Sequence, residues 1–588
     1  MKLVALVSGG KDSCFNMMEC VKNGHTIDAL ANLYPPASDA DEMDSFMYQT
    51  VGHNITELIA DAMGIPLYRR EITGASLDQN LNYSVTEKDE TEDLYLLLQE
   101  VMMHRPEIEG VSVGAILSNY QRTRVENVCS RLGLLCYGFL WQRAQNELLK
   151  NMIACSLDAI LIKVAALGLN ERHLGKSLTE MHDYLMELEN RYGLNTCGEG
   201  GEYETIVLDC PIFKKRIVLD SSETIKHDLG GVYYLKLKAH TEAKGYSPQS
   251  AWNAYIQPKH VLDEDMFFHD IYGRAALVKD RNENLEHLNG NSSFSNLSFS
   301  YMELNGYVFI ANVTSLSPVL EDAMIEIHKQ IDEFLNMHGQ NFNSILHTTI
   351  VLQNMHLFAN VNSYYSKWFS EPLPPSRACI ATCSLPTQVS VSVITKAKTT
   401  AKKCGLHVQS RSYWAPSNIG PYSQLRRTNE IIFIAGQIGL VPSTMDFPED
   451  IRLETVLALR SFHRILEAEN VSSRLIEVMI CYTTNEAYRD LIRHVWTSYL
   501  PSAELIILVV DQLPRNSRVE WVSIVGTEGT KFEVVRDIRS TNPVFLFSTS
   551  ECLVPDGCCF VPVQKVLDFE DGRVGISVTF REREQDSE

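Results

Sequence analysis

The sequence predicts an α/β domain with a mostly parallel sheet over residues 1–235, followed by two smaller α+β domains. Strands and helices alternate through the first 235 residues, which is typical of a parallel sheet with crossover helices. A glycine-rich loop joins the first predicted strand to the first predicted helix. Beyond residue 290, a unit of strands, one long helix and further strands occurs twice, each time with a Leu-Pro dipeptide after an apolar run.

The glycine-rich loop has the composition of an anion-binding site. It follows the apolar run 2–7 and precedes a helical stretch, and its six residues are Ser8, Gly9, Gly10, Lys11, Asp12 and Ser13. A strand, a glycine turn and a helix N-terminus together point backbone N–H groups at a phosphate, and glycine lets the backbone approach it closely. The spacing differs from that of the Walker loop. An ordinary turn between strand and helix is the alternative interpretation.

The remaining elements of the first domain follow from capping residues and apolar runs. Asn54 is predicted to cap a helix that ends before Gly64, and Ser177 with Glu180 predicts a second capped helix that ends at Gly193. Further strands are predicted at 27–33, from 67, at 111–117 and at 157–164, and further helices at 90–103 and 121–132.

Residues 114–126 leave a predicted strand and enter a helix, at the edge of an α/β sheet where ligands bind. Arg122 and Arg124 are two residues apart, so they cannot share one face of that helix. We expect one of them to reach a bound phosphate and the other to pair with a carboxylate such as Glu126. A solvated basic turn is the alternative, because exposed arginine is common.

Residues 198–205, with the sequence GEGGEYET, form the other candidate stretch. Three glycines stand among three carboxylates, and a tight loop that aims carboxylates needs such glycines. The carboxylates are those of Glu199, Glu202 and Glu204. They are suited to hold Mg²⁺, to contact a cationic substrate or to accept a proton from an amine. A plain acidic turn is the alternative.

Composition and charge disfavour several classes of function. The chain has 588 residues and a formal net charge of −22, with 52 Lys and Arg against 74 Asp and Glu, which disfavours nucleic-acid binding. It has no apolar run long enough for a membrane span and no signal-peptide pattern, so we expect a cytoplasmic protein without a membrane partner. Its 14 cysteines include no CxxC pair, so neither zinc nor an iron–sulfur cluster is expected.

The six loop residues resemble the PP-loop of ATP pyrophosphatases, whose domain has an adenine nucleotide alpha hydrolase-like fold. Four further stretches extend this to a resemblance to the diphthine–ammonia ligase family over most of residues 1–235. They are DSFMYQTVGH at 44–53, GAILSNYQRTRVENVCSRL at 114–132, Leu140-Trp141, and GEGGEYET at 198–205.

The resemblance implies the last step of diphthamide synthesis. In that step ATP activates the carboxylate of diphthine on translation elongation factor 2, ammonium supplies the amide nitrogen, and AMP and pyrophosphate are released. The resemblance also implies Mg²⁺ bound with ATP, for which Asp12 is the candidate ligand. Because Lys2 replaces the cysteine nucleophile that one type of glutaminase places after the initial Met, we expect free ammonium rather than a glutaminase reaction.

The resemblance also implies roles for the residues that match the family's motifs. ATP and pyrophosphate are expected at the six loop residues, Arg122 and Arg124. Catalytic roles are expected for Lys11, Asp12, Glu199 and Glu202. Substrate contacts are expected from Tyr120, Glu199, Glu202, Tyr203 and Glu204. The trimethylammonium group of diphthine suits an acidic loop that also offers an aromatic ring for a cation–π contact.

The remainder of the chain divides into a predicted linker, two repeats and an extension. Their bounds are 236–290, 291–400, 401–535 and 536–588. Long helices are predicted at 320–337 and 453–469, strands at 307–312, 430–439 and 574–580, and a disordered charged tail at 581–588. The repeats resemble the Rid (YjgF) family, an α+β fold that forms trimers, which allows oligomerisation through them.

The two repeats divide the parts of a Rid pocket between them. The front motif is present only in the second repeat, at 419–424 and 435–437, and includes Tyr422 and Gln437. The arginine that anchors a carboxylate is present only in the first, as Arg377. Either the repeats serve as a scaffold, which we favour because fold does not imply function, or these three residues form one composite, vestigial pocket.

Two other functions stay open at this point. The first is a PP-loop enzyme that modifies RNA, although cysteine pairs and basic RNA-binding regions are missing from the sequence. The second is a Rid-type enamine/imine deaminase with an accessory nucleotide-binding domain. The second repeat lacks the anchoring arginine, since Glu504 and Leu505 occupy that region, and this weighs against the deaminase.

Overall fold

The structure is a computed structural model and describes residues 1–36, 55–227, 231–245, 249–255, 257, 262, 265–278, 297, 299–396, 404–527, 530–535, 543–548, 558–563, 565–567 and 575–582. The chain divides into two compact units. The first comprises Met1–Lys259 and Gln409–Trp414, and the second comprises His260–Val408 and Ala415–Glu588. The stretch 44–53 and the predicted cap Asn54 lie outside the described residues.

The first unit contains two sheets and the helices that pack on them. Its strands are β1 (Lys2–Leu6), β2 (Thr26–Tyr34), β3 (Leu67–Glu71), β4 (Gly110–Ser112), β5 (Leu135–Tyr137), β6 (Asp158–Val164), β7 (Tyr203–Asp209), β8 (Lys215–Lys226) and β9 (Tyr233–Ala243). Its helices are α1 (Lys11–Lys22), α2 (Thr56–Met63), α3 (Glu90–His104), α4 (Asn119–Leu132), α5 (Gln145–Ala154), α6 (Leu178–Tyr192) and α7 (Gln249–Ala254).

The larger sheet of this unit is parallel and has the strand order β3-β2-β1-β4-β5. The chain moves outward from β1 to β2 and β3, then crosses back to β4, so the order reverses between β1 and β4. In open α/β sheets this switch point marks the ligand site, outside the carboxyl ends of the strands. The predicted parallel α/β fold is therefore confirmed, and it places the glycine-rich loop at the switch point.

Helix signals in the sequence are confirmed where they can be examined. Ser177 and Glu180 form a reciprocal capping box at the start of α6. Gly193 and Gly64 end α6 and α2 in the left-handed conformation, with φ of 69° and 66°. Glycine adopts this conformation without the Cβ clash that other residues suffer.

The strand predicted at 157–164 is confirmed as β6. It lies outside the parallel sheet, because it pairs antiparallel with β7 and β9 in a separate sheet of order β7-β6-β9-β8. A continuous apolar run shows that a strand is buried on both faces, and it carries no information about its direction. The predicted domain end at 235 also falls inside β9, which continues along β8. The strand predicted at 111–117 is shorter, since β4 ends at Ser112.

The second unit carries the two repeats and the C-terminal strands. Its helices are α8 (Met266–Ala275), α9 (Leu320–Met337), α10 (Phe358–Tyr365), α11 (Ile451–Ala468) and α12 (Arg489–Tyr499). Its strands are β10 (Ser300–Leu304), β11 (Tyr307–Thr314), β12 (Ile345–Leu352), β13 (Ser376–Ala381), β14 (Val389–Lys396), β15 (Cys404–Leu406), β16 (Leu425–Arg427), β17 (Ile431–Ile438), β18 (Val478–Thr483), β19 (Glu504–Val509), β20 (Val519–Gly526), β21 (Thr530–Val535), β22 (Pro543–Ser548), β23 (Cys559–Pro562), β24 (Lys565–Leu567) and β25 (Gly575–Glu582).

Each repeat forms one sheet, and the C-terminal strands form a third. The strand orders are β10-β11-β14-β12-β13, β15-β16-β17-β20-β18-β19-β24 and β21-β25-β22-β23. Apolar side chains from all three sheets share one core, among them Phe309, Phe433 and Phe547. The predicted repeats are therefore confirmed as α+β units. Part of the predicted disordered tail is a strand, because β25 continues to Glu582.

No helix among the described residues has the length and apolar character that crossing a membrane requires.

Candidate functional site

A cavity of about 210 Å³ lies in the first unit at the carboxyl edge of the parallel sheet. One part of its lining is polar and comes from Ser8, Asp12, Ser13, Asn32, Gln121 and Glu199. The other part is mostly apolar and includes Leu6, Val7, Ala31, Leu33, Leu94, Leu97, Val113, Ala115 and Val125. An apolar cleft with a few convergent polar groups is the usual form of a small-molecule site.

The glycine-rich loop brings the start of α1 to this cavity, whose lining includes Ser8, Asp12 and Ser13. Gly9 has φ of +96°, a conformation that favours glycine. The backbone N–H of Lys11, in the first turn of α1, donates to Thr205 Oγ1 at 3.1 Å. The loop is also held by its own groups, since Gly10 N–H donates to Ser8 Oγ at 3.3 Å and Ser13 Oγ donates to the Gly10 carbonyl at 3.0 Å. The positive end of the helix dipole therefore faces the cavity and suits an anion.

The glycine-rich loop packs closely against a glycine outside it, Gly114, in the segment that follows β4. A Cβ atom on this residue would lie 2.7 Å from the backbone nitrogen of Ser13 and 2.7 Å from the carbonyl carbon of Asp12. Backbone atoms cannot yield as a flexible side chain can, so only glycine allows the two segments to pack. Gly114 belongs to a stretch that the sequence singles out, but its role becomes visible only in three dimensions.

Lys11 is buried beside the cavity and does not line it. Its ammonium group donates to Asp12 Oδ2 at 2.8 Å and to the Cys197 carbonyl, and it lies 5.3 Å from the ring centroid of Tyr203. Burial by itself lowers the pKa of Lys11, but Asp12, Tyr203 and Cys197 together raise it above its usual range. Lys11 therefore stays charged and holds Asp12 in place.

Two carboxylates, those of Asp12 and Glu199, face the cavity. Burial raises the pKa of Asp12, although the neighbouring Lys11 opposes this shift. Burial raises the pKa of Glu199 as well, and the charge of Asp12 adds to that shift. Asp12 Oδ1 is buried and has no hydrogen-bond partner among the described residues, whereas Glu199 Oε2 accepts from Leu117 N–H at 3.0 Å. A buried carboxylate oxygen without a donor is suited to a cation.

The other residues of the acidic loop hold its shape. Glu202 accepts from the Asn195 backbone N–H at 3.0 Å, from the Asn195 side chain at 2.7 Å and from Gly200 N–H at 2.7 Å. Glu204 pairs with Lys163 at 3.2 Å. Tyr203 is buried, and its hydroxyl donates to the Thr196 carbonyl. The structure therefore brings Glu199 to the cavity and leaves Glu202, Tyr203 and Glu204 outside its lining.

Arg122 is engaged in a buried ion pair. Its guanidinium donates to Glu126 at 2.6 Å and to Asn119 at 3.0 Å, and it lies 4.8 Å from the ring centroid of Trp141. Of the two alternatives that the sequence leaves open for this arginine, the geometry matches the pairing with Glu126.

Arg124 is also buried, and it binds backbone carbonyls. It donates to the carbonyls of Tyr120, Asp78 and Asn80, and its guanidinium carbon lies 3.3 Å from the ring centroid of Tyr120. Neither Arg122 nor Arg124 lines the cavity. Tyr120, expected to contact substrate, instead stacks on Arg124. The neighbouring Gln121 lines the cavity; it belongs to the candidate stretch 114–126, although no individual role is predicted for it.

The second unit contains a separate polar cluster between its repeats. Arg377 of β13 is buried, donates to Asn362 Oδ1 at 2.7 Å and lies 5.0 Å from the ring centroid of Tyr422. The residues expected in the two repeats, Arg377 and Tyr422, are thus brought together. Gln437 is buried and donates to the carbonyl of Ala435 at 2.9 Å.

Glu520 of β20 joins this cluster and is missed by the sequence analysis. Burial raises its pKa to about 8, and only the charge of Arg377 opposes the shift. Its Oε2 atom is buried without a hydrogen-bond partner in the part of the chain that the structure describes. A Cβ on Gly436 would lie 1.6 Å from its other oxygen, which explains the glycine. The glycine of the Ala435-Gly436-Gln437 motif is therefore needed to make room for this carboxylate.

No group of three or more histidine, cysteine, aspartate or glutamate side chains that could hold a metal ion occurs in the described residues. Asp12 and Glu199 offer two carboxylates at the cavity, a number that fits a Mg²⁺ ion whose other ligands are phosphate oxygens and water.

Comparison with known proteins gives consistent matches along the chain. Residues 1–136 match the family described as Diphthamide synthase N-terminal domain, and 144–241 match Diphthamide synthase C-terminal domain. Residues 309–398 and 413–527 match Endoribonuclease L-PSP.

Two relatives of known sequence, both diphthine–ammonia ligases, agree with the family matches of residues 1–241. The diphthine–ammonia ligase of Schizosaccharomyces pombe is 44% identical over 557 residues, which cover 93% of this chain and 91% of the relative. That of Mus musculus is 57% identical over 251 residues, which cover 42% of this chain and 94% of the relative. A solved structure of a Rid family protein from Yersinia pestis is 27% identical, covers 21% of this chain and 100% of its own, and has a TM-score of 0.20.

Proposed function

Because the chain belongs to the diphthine–ammonia ligase family, we propose that it amidates the carboxylate of diphthine on translation elongation factor 2. ATP activates the carboxylate, ammonium supplies nitrogen, and AMP and pyrophosphate leave. One observation carries the proposal: the start of α1 and two carboxylates, Asp12 and Glu199, meet in one cavity at the switch point of the parallel sheet. This arrangement supports a phosphate-binding site next to one carboxylate that can bind a cation and another that can accept a proton.

ATP is proposed to bind with its phosphates at 8–13 and its adenosine toward the apolar lining. The glycines admit the phosphates, and the N–H groups at the start of α1 supply donors to the negative charge. Mg²⁺ would be held by Asp12, whose Oδ1 atom is buried without a described hydrogen-bond partner, together with phosphate oxygens. Bound there, Mg²⁺ neutralises charge on the phosphates. Lys11 positions Asp12 by an ion pair of 2.8 Å.

The reaction needs activation because a carboxylate has no good leaving group. A diphthine carboxylate oxygen attacks the α-phosphorus of ATP, and the bond to the β-phosphate oxygen breaks, releasing pyrophosphate. Ammonia then attacks the acyl carbon, and AMP leaves with the bonding electrons. The fixed N–H donors of the loop stabilise the negative charge that develops on pyrophosphate.

Glu199 is proposed to take the proton that nitrogen must lose before or during its attack. Its carboxylate lies in the cavity, and burial raises its pKa toward the range that a general base needs. The same negative charge attracts the trimethylammonium group of diphthine. Glu202, Tyr203 and Glu204 are proposed to act by holding the loop that presents Glu199.

The test is incubation of the full-length protein with ATP, Mg²⁺, labelled ammonium and elongation factor 2 that carries diphthine. We expect AMP, pyrophosphate and labelled amide in equal amounts. Asp12→Asn should lower the rate by about 100-fold or more, because it removes charge at the phosphates. Asp183→Asn, at a fully exposed position on α6, is the matched control and should leave the rate unchanged. Amide formation without AMP, or neither product, would contradict the proposal.

A binding role for the second unit is a second candidate, and one observation favours it. Arg377 from one repeat and Tyr422 and Glu520 from the other form a single buried cluster. We propose that this cluster, to which both repeats contribute, is a composite binding pocket in which Arg377 anchors a carboxylate. A scaffold needs neither the buried arginine Arg377 nor a buried carboxyl group such as Glu520, whose pKa is raised to about 8.

A further inference from the structure

A loop at the sheet edge that carries the cavity combines an ordered backbone with exposed apolar side chains. This rim loop, residues 72–89, leaves the carboxyl end of β3 and leads into α3. The strands β1, β3 and β4 are parallel, so the segments after them lie at the same edge of the sheet. That edge also carries the cavity, to which α3 contributes Leu94 and Leu97.

The backbone of the rim loop is fixed by a network of hydrogen bonds. Asp89 Oδ2 accepts from the N–H groups of Leu77 and Asp78 at 3.0 and 2.9 Å. The Asp78 carboxylate accepts from Ser84 N–H at 3.0 Å. The hydroxyl of Thr123 donates to the Leu81 carbonyl at 2.7 Å. These contacts fix the backbone of the loop between its buried residues Ile72 and Tyr83.

Arg124 is the central support of the rim loop. It donates to two loop carbonyls, those of Asp78 and Asn80, and its guanidinium carbon lies 5.3 Å from the ring centroid of Tyr83 and 3.3 Å from that of Tyr120. An arginine with a planar, rigid fork suits such a fixed arrangement. Arg124 is therefore a positioning residue for the loop, which accounts for its burial away from the cavity.

This ordered loop exposes three apolar side chains within nine residues. Leu77, Leu81 and Val85 are 55%, 67% and 61% exposed. Leu117, from the segment after β4, is 39% exposed and donates its backbone N–H to Glu199. Single exposed apolar residues are common, but a group of them on a rigid support beside a cavity marks an interaction surface.

We propose that Leu77, Leu81, Val85 and Leu117 form the docking surface for the protein that carries diphthine. This rests on the proposed function, in which the reacting carboxylate belongs to a side chain of a folded protein. That side chain enters the cavity, so the surface around it must contact the rim. The carboxylates of Asp12 and Glu199 complement the cationic side chain, and the apolar rim fits an apolar surface around it.

The test compares Leu81→Asp/Val85→Asp with wild type in the amidation assay. The charged side chains should raise KM for the protein substrate about tenfold or more, a loss of at least about 1.4 kcal/mol. The kcat value and the affinity for ATP, measured by titration calorimetry without the protein substrate, should stay within about twofold of wild type. Arg124→Ala should raise KM in the same direction by releasing the loop.

Met103→Asp is the matched control. Met103 is 71% exposed near the C-terminal end of α3, at the opposite edge of the sheet, and its substitution should leave KM unchanged. An unchanged KM in Leu81→Asp/Val85→Asp, or an equal rise in Met103→Asp, would overturn the docking surface. Failure of the wild-type protein to form amide would instead overturn the proposed function, so the two outcomes are distinguishable.

Discussion

Glu126 of α4 and Ser410 are 284 residues apart in the sequence and are joined by two hydrogen bonds. Ser410 donates its backbone N–H at 2.8 Å and its hydroxyl at 2.6 Å to Glu126 Oε1. The other carboxylate oxygen of Glu126 accepts from Arg122 at 2.6 Å. The segment Gln409–Trp414 thus belongs to the first unit and completes a buried ionic cluster next to the stretch that lines the cavity.

This cluster predicts that two substitutions lower the free energy of unfolding by different amounts. Ser410→Ala removes one hydroxyl and leaves the Arg122–Glu126 pair, so it should lower the free energy of unfolding by about 1–2 kcal/mol. Glu126→Gln leaves Arg122 buried without its carboxylate and should cost about 3–5 kcal/mol. Urea unfolding, followed by tryptophan fluorescence, measures both. Equal and small effects would contradict a buried pair that depends on the distant segment.

The raised pKa of Glu199 predicts an acid limb in the rate profile. Burial is the main cause of the shift, and Asp12 adds to it. A base acts in its ionised form, so amidation should decline as pH falls through this pKa, above the range of an ordinary glutamate. Glu199→Gln should lower kcat by about 10²–10⁴-fold and remove this limb. The measurement is kcat/KM against pH at saturating ATP.

Glu202→Gln is the control for this profile. Glu202 binds Asn195 and Gly200 within the loop, so its loss should loosen the loop and leave the acid limb in place. An acid limb that persists in Glu199→Gln would show that another group is the base.

Glu520 predicts a pH dependence of stability in the second unit. Burial raises its pKa from 4.5 to about 8 in the folded state. The unfolded chain loses the proton near 4.5, so between pH 4.5 and 8 the folded state binds one proton more, and stability falls as pH rises. The decline should not exceed about 1.4 kcal/mol per pH unit. Glu520→Gln cannot ionise and should lose this contribution, which denaturant unfolding at pH 5, 6.5 and 8 would measure. Identical slopes for both proteins would contradict the assignment.

Local signals predict much of this fold because they act over few residues. The capping box at Ser177 and the glycines at 64 and 193 fix helix ends through contacts within one turn. The glycine-rich loop between β1 and α1 is predictable for the same reason, since strand, turn and helix are adjacent in sequence.

Long-range partners limit what the sequence predicts about the site. Arg122 pairs with Glu126 one helical turn away, a pairing that the sequence does indicate. Arg124 carries the same charge, but its partners include the carbonyls of Asp78 and Asn80 in a distant loop. Nothing local separates those partners from a ligand. The sequence also does not reveal the apolar lining of the cavity, because residues such as Leu33 and Leu97 follow the same pattern as core residues.

The close packing at Gly114 predicts that the substitution Gly114→Ala lowers the affinity for nucleotide. In Gly114→Ala, the added Cβ would lie 2.7 Å from backbone atoms of Asp12 and Ser13, so the start of α1 must shift away from β4. Overpacking of this kind costs about 1–3 kcal/mol, and here the displaced atoms form the proposed phosphate site. We expect the affinity for ATP, measured by calorimetry, to fall by about tenfold or more. Gly138→Ala is the matched control, since its Cβ would meet Val113 at an ordinary 3.7 Å. Equal affinities in the two variants would show that the loop tolerates the shift and that the close packing at Gly114 serves stability alone.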